Sequence, residues 1–172
     1  MGNRYSRKEI RELRARWKDQ QCRIEAIIHD LHSGSDWTRN LLESKEKGWE
    51  ELPFISTCPS KFEIPGERAV RDIRGLELED IDLSGTDSFA DSCMDLCVFK
   101  KVILDSASLN GASLCYSKFD EECVLDRTNL QSADLRYSNF SGVSFVDANL
   151  TGADLRGANF INAILFGVKL NY

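Results

Sequence analysis

From Leu125 to Leu170 an aliphatic residue or phenylalanine recurs every five positions, at Leu125, Leu130, Leu135, Phe140, Phe145, Leu150, Leu155, Phe160, Leu165 and Leu170. One extra residue intervenes upstream, and the series resumes through Phe119, Leu114, Leu109, Leu104, Phe99, Met94 and Phe89. A second one-residue slip leads to Leu83, Leu78 and Ile73, which makes twenty consecutive pentapeptides. An α-helix repeats at about 3.6 residues and a flat strand at about two, so neither generates a strict period of five. The chain must therefore coil with a corner in every unit.

The other slots of the unit agree. Two residues before the centre, sixteen of the twenty units carry Ala, Ser, Thr, Cys or Val. Small residues there, pointing inward beside a bulky one, are what a narrow interior requires. All seven glycines after residue 70 lie two positions after a centre, which marks that slot as a corner where backbone freedom is useful.

Ala-Asp-Leu-Arg-Gly (153–157), Ala-Asn-Leu-Thr-Gly (148–152) and Ala-Asn-Phe-Ile-Asn (158–162) resemble the consensus of the pentapeptide-repeat family. The resemblance covers about 100 of 172 residues. It implies a right-handed quadrilateral parallel β-helix, four units to a square coil and about five coils in the rod. Sorting the centres four at a time supports that register. The second face then reads Leu78, Phe99, Phe119, Phe140, Phe160, gathering four of the chain's nine phenylalanines into one column. The slips, near Ser84–Ser88 and Asp120–Val124, are expected as small bulges at corners. Stability is expected to come from stacking of neighbouring coils.

Three regions follow: a helical hairpin or coiled-coil segment over 1–50, an extended linker over 51–70 containing Pro53, Pro59 and Pro65, and the solenoid over 71–172. Ser6 to Glu9 spells a capping box. Ile10, Leu13, Trp17, Ile24, Ile27 and Leu31 then follow 3-4 spacing with Gln20 in the seam, Gly34 ends the helix, and Asp36–Trp49 reads as a second, shorter one. Two readings stay open: a partner-binding helical face, or a hairpin that covers the first coil, since solenoids need covered ends.

The totals exclude several classes. Six cysteines form no CxxC pair, and His29 and His32 are the only histidines, so no zinc site, metal or other cofactor is expected. Reduced thiols are expected throughout. No apolar run approaches the roughly 18 residues of a membrane span, and no signal sequence is evident, so the expected compartment is cytoplasmic. The solenoid has no histidine and its cysteines have no base beside them, so an enzyme is not expected.

Charge is asymmetric. Residues 1–23 carry eight Lys/Arg against three Asp/Glu, whereas residues 51–172 carry eleven against nineteen. The basic stretch reads as a solvated face, and no direct contact with nucleic acid is expected. Met1-Gly2-Asn3-Arg4-Tyr5-Ser6 matches a myristoylation pattern at Gly2, which with the basic stretch would anchor a delivered or lipidated protein; membrane association is nevertheless not the favoured reading.

Two outward surfaces are candidates for binding another protein. Tyr116, Arg136, Tyr137 and Arg156, with Asp134 and Asp154, fall on the first face; Tyr and Arg are enriched in interface hot spots, and the alternative is a solvent-exposed charge ladder. Val146, Ile161, Ile164 and Phe166 should point outward on the last coils although apolar, which suggests a sticky end and a homodimer there or through the N-terminal helix. The favoured function is a non-enzymatic interaction scaffold or adaptor. The resemblance also implies an alternative, because quinolone-resistance members of the family imitate duplex DNA and bind type II topoisomerases. That mechanism needs an acidic stripe, and seven acids do fall between Glu77 and Asp95.

Overall fold

The computed structural model describes residues 5–15, 73–86 and 89–171. Residues 73–86 and 89–171 wind into a right-handed quadrilateral β-helix. Coils 1 to 5 begin at Ile73, Met94, Leu114, Leu135 and Leu155. Three strands, β1 (Glu77–Asp82), β2 (Val98–Ile103) and β3 (Lys118–Phe119), pair in parallel in that order along the second face. Elsewhere the ladder is a series of single parallel bridges, such as Ser113 with Asp134 and Asp134 with Asp154.

Each unit joins the next coil in the same way. The centre and the residue two beyond it donate their N–H groups upward, as Leu135 does to Asp154 O (3.0 Å) and Tyr137 to Arg156 O (3.1 Å). The residue before the next centre donates back, as Asp154 does to Ala133 O (2.9 Å). At most corners the amide three after a centre closes on that centre's carbonyl, as in Ala133 N to Leu130 O at 3.1 Å. The residue two after the centre has positive φ, the signature of a type II turn.

The seven glycines occupy this slot at φ 68 to 79, but eleven other residues share it, including Leu96, Tyr116 and Tyr137. A side chain there costs about 1–2 kcal/mol; the stacked coils hold it. At Gly157 a second constraint acts, because an added Cβ would lie 2.5 Å from the Tyr137 ring.

The slip at Asp120–Val124 is absorbed at one corner. Cys123 N closes on Asp120 O (3.2 Å), while Asp120 Oδ1 accepts from Lys101 N (3.1 Å) and Glu122 N (3.2 Å), so the bulge is sealed by its own carboxylate. Glu121 there is the one described residue of its slot without positive φ. The register steps from 20 to 21 residues across the bulge, as in Val98–Lys118 against Ile103–Val124. The other slip falls on residues 87 and 88, outside the described residues.

Every centre from Ile73 to Leu150 is buried. The phenylalanine column is a continuous stack: Phe99–Phe119 at 4.2 Å and 7°, Phe119–Phe140 at 4.8 Å and 28°, Phe140–Phe160 at 5.2 Å and 23°. Small inward residues carry a second tie between coils. Ser117 Oγ donates to Met94 O (2.7 Å), Thr128 Oγ1 to Leu104 O (2.8 Å) and Ser138 Oγ to Leu114 O. Cys97 and Cys123 use the same slot, donating to Ile73 O (3.1 Å) and Phe99 O (3.5 Å). A buried hydroxyl without an acceptor would cost about 1–3 kcal/mol; these carbonyls spare Ser117, Thr128 and Ser138 that cost, whereas Ser92 Oγ, in the same slot before Met94, is buried with no partner among the described residues. Burial pushes the Cys123 thiol up to about 12, which leaves it inert.

One expectation fails here. Cys93 is disulfide-bonded, whereas Cys97, Cys115 and Cys123 are free, so the reading of six reduced thiols is wrong. The pairing does not involve any of those three, and sequence spacing carries no information on a contact of this kind.

Ahead of the rod, α1 spans Arg7–Ala15. Its capping box is formed: Ser6 N donates to Glu9 Oε2 (2.6 Å) and Glu9 N to Ser6 Oγ (3.2 Å). Tyr5 lies over the first face, and an added Cβ on Gly75 would meet the Leu13 carbonyl carbon at 2.9 Å. The segment thus runs from the third coil down to the corner of the first, covering rather than projecting. Trp17, Ile24, Ile27, Leu31, the second helix at Asp36–Trp49 and the linker over 51–70 lie outside the described residues.

Candidate functional site

The square section gives the rod four outer faces, and their side chains are sharply different. On the second and fourth faces the outward positions of the later coils are mostly uncharged polar residues. Asparagines stack there, Asn159 Nδ2 donating to Asn139 Oδ1 (2.7 Å) and Asn149 Nδ2 reaching Asn129 Oδ1 at 3.4 Å.

The first face is divided along its length. In coils 2 and 3 the outward residues Cys93, Asp95, Ser113 and Cys115 are almost completely buried. Tyr5 Oη donates to Asp95 Oδ2 (2.5 Å), and Asp95 Oδ1 accepts from Ser113 Oγ (2.5 Å) and Cys115 N (2.9 Å). The Tyr5 ring meets Tyr116 edge-on at 6.4 Å, and Tyr116 stacks on Tyr137 at 5.1 Å. This tyrosine ladder climbs out of the covered region, and Tyr137 is 45% exposed.

Above it lies the charge ladder. Arg136 grips Asp134 through Nε (2.7 Å) and Nη2 (2.6 Å), and Arg156 grips Asp154 through the same atoms at 2.8 and 2.6 Å. Arg136 Nε also approaches Asp154 Oδ2 at 3.6 Å. Burial alone would raise the Asp134 carboxyl, but hydrogen bonds from Arg136 and Cys115 outweigh it and hold the group at about 2. The Arg136 guanidinium is correspondingly stabilised in its charged form by Asp134. Each arginine is thus engaged within its own unit.

Half of the outward residues of the third face are apolar. Ile103, Val124 and Ile164 occupy the positions before the centre, Val146 and Phe166 those after it. Ile103 is 37% exposed, Ile164 53% and Phe166 77%. Asp126 borders the stripe, accepting from Ser144 Oγ (2.5 Å) and Val146 N (2.9 Å).

Of the residues expected to form interaction surfaces, Tyr116, Arg136, Tyr137 and Arg156 come together on the first face. Val146, Ile164 and Phe166 share the third, while Ile161, 66% exposed, sits on the second. Ile10 and Leu13 are half-buried on α1. Sequence reasoning missed Ile103 and Val124, which the same column sorting applied to the outward slots would have found. It also missed the Tyr5–Asp95 contact, ninety positions apart with no local signal.

The acids between Glu77 and Asp95 do not form a stripe. Glu77 and Glu79 pair with Lys100, Asp82 accepts from Ser84 N (2.9 Å), and Asp95 is buried. Among the described residues, no group of three His, Cys, Asp or Glu could hold a metal ion, and no helix is long and apolar enough to cross a membrane.

The profile of the pentapeptide repeats matches residues 107–145, 123–162 and 144–172, in eight copies. The solenoid belongs to the pentapeptide-repeat family. Among solved structures, a pentapeptide repeat protein from the thylakoid lumen of Arabidopsis thaliana is 24% identical, over 55% of this chain and 64% of that one, with a TM-score of 0.51. HetL of the cyanobacterium Nostoc, a pentapeptide repeat protein involved in heterocyst differentiation regulation, is 27% identical over 56% and 52%, with a TM-score of 0.29. Rfr23 of Cyanothece is 23% identical over 58% and 87%, with a TM-score of 0.27. The match thus spans less than two thirds of the first two structures, and the likeness to the Arabidopsis protein shows the fold. No curated protein matches. The pentapeptide-repeat rod accounts for the regular interior.

Proposed function

We propose that this pentapeptide-repeat protein is a non-enzymatic scaffold that binds another protein through the exposed side of its later coils. One observation carries the reading: Ile164 and Phe166 are large apolar side chains in outward slots, where the second and fourth faces of the later coils are mostly polar. Contiguous exposed apolar surface on a soluble fold marks contact with another macromolecule. The fixed coil geometry favours rigid presentation of such a surface, and neither a nucleophile with a base nor a metal cluster competes with that reading among the described residues. The DNA-mimic alternative is the less favoured reading, because Glu77 and Glu79 share Lys100, Asp95 is buried, and the exposed Asp80 and Asp82 lie on the first coil rather than along the rod.

The test is side-by-side affinity capture with the full chain and an Ile164→Glu/Phe166→Glu variant. Protein retained by the wild type and lost by the variant, with an unchanged circular dichroism spectrum, supports the scaffold. Equal retention by both, or by neither, overturns it.

A further inference from the structure

The third face and α1 are complementary in both shape class and charge. Along the third face the apolar residues Ile103, Val124, Val146, Ile164 and Phe166 run diagonally from coil 2 to coil 5 beside Asp105, Asp126 and Ser144, three coil steps or about 14 Å at the spacing of paired strands. That length matches about ten residues of helix, at about 1.5 Å each. Its margins are acidic. Glu121 on one corner and Asp147 on the other are exposed, and among the described residues no cation pairs with them, whereas Glu122 pairs with Lys101, Asp105 with Arg127 and Asp134 with Arg136.

The chain also carries the opposite surface. On α1, Ile10 and Leu13 keep part of their surface in water, and no residue of the helix is buried. Arg7, Arg11 and Arg14 are exposed and have no acidic partner among the described residues, whereas Lys8 is paired with Glu12 at 3.7 Å. In sequence the apolar spacing continues to Trp17.

These two surfaces cannot meet within one copy. Tyr5 and Leu13 hold α1 against the first face and the Gly75 corner, on the opposite side of the square from the third face. We propose that the third face is a docking surface for the basic α1 region of a second copy of this chain. The proposal rests on the scaffold reading and names its partner.

A donor on one side and an acceptor on the other make a heterologous contact, so the assembly does not close at two copies. Association therefore proceeds head-to-tail, with the apolar stripe covered and Glu121 and Asp147 facing Arg7, Arg11 and Arg14. Contact between exposed charges makes it salt-sensitive.

Light scattering of the full chain over a range of concentrations tests this. The mass is expected to grow with concentration beyond two copies and to fall back in about 0.5 M salt, where the screening length is a few ångströms. Glu121→Lys/Asp147→Lys should weaken association at least about tenfold, equivalent to about 1.4 kcal/mol. Arg11→Glu/Arg14→Glu should do the same, and the two pairs combined should restore it. That rescue separates a lost contact from a lost fold. A monomer at every concentration overturns the proposal, and so does a mass that stops at two copies and ignores both charge reversals. In either case, protein captured by the wild type but not by Ile164→Glu/Phe166→Glu would leave the scaffold standing with a different partner.

Discussion

The second and third coils and the fifth are built from the same repeat, yet their outward slots have opposite fates. On the first face of coils 2 and 3, Asp95 and Cys115 are buried beneath Tyr5 and its neighbours; on coil 5, Ile164 and Phe166 stand in water. The repeat dictates which side chains point outward, and only non-repeating chain decides whether an outward side chain is covered. A polar residue is the one that ended up inside, where three donors satisfy it, and apolar residues ended up outside. Outward slots in a solenoid therefore cannot be read as exposed, and their composition alone does not separate a docking surface from an internal one.

The contrast can be broken most forcefully in the phenylalanine column. Phe119→Ala, in the fully stacked third coil, should cost about 3–5 kcal/mol. Phe160→Ala, half-exposed at the end of the same column, should cost less than half of that. Urea unfolding followed by circular dichroism measures both, and equal losses would mean that the last coil is packed as tightly as the third.

Asp95→Ala should cost about 2–4 kcal/mol, because Tyr5 Oη, Ser113 Oγ and Cys115 N would be left without their acceptor in a buried place. The matched change at the exposed end, Asp154→Ala, should stay near or below about 1 kcal/mol, as for other exposed ion pairs. A similar loss at both sites would show that Tyr5 does not seal the first face in solution.

The acid limb sharpens the comparison further. Asp134 is held at about 2, below its ordinary value of 3.8. Because the folded value is depressed, its contribution is complete above the ordinary value and is lost as pH falls from about 4 through about 2. The amount is on the order of 2 kcal/mol. Arg136→Gln should remove most of this slope between those pH values while leaving thermal stability at neutral pH lower; an unchanged slope would place the acid sensitivity elsewhere.

A smaller effect than for Asp95→Ala is expected for Tyr5→Phe, which removes one hydrogen bond to a carboxylate and keeps the edge contact with Tyr116, at about 1–2 kcal/mol. Hydrogen exchange should rise locally at Asp95 and Cys115 and stay constant at Ile164. Uniform protection at both would detach the covering of the first face from Tyr5.

Much of the interior was legible in the sequence. The five-residue period, the inward small slot and the phenylalanine column each depend on contacts between residues about 20 apart, and a strict repeat prints such contacts as a pattern. The capping box was legible because it is local. What was not legible breaks the repeat. Tyr5 reaches Asp95 across ninety residues, Cys93 is paired without any spacing signature, and Leu13 meets Gly75 through backbone atoms that no side-chain pattern encodes. The glycine slot was recognised as a corner, but sequence could not show that Leu96 and Tyr137 would adopt the same left-handed backbone, because their cost is offset by the coils above and below. On the outer faces, Arg136 and Arg156 were recognisable as candidates for binding; that both are committed to their own aspartates became visible only in three dimensions.

The step of about twenty residues between stacked positions has a consequence for how such a chain can change length. Adding or losing four units leaves every downstream side chain above its old column. Adding or losing one unit turns everything downstream by a quarter of a revolution. Phe140 and Phe160 would then sit over leucines rather than Phe119, and Ile164 and Phe166 would swing onto the side now occupied by asparagines or by the second-face strands. A single five-residue duplication, silent by the standards of the repeat, would thus redirect what the rod presents to its surroundings without altering one exposed residue.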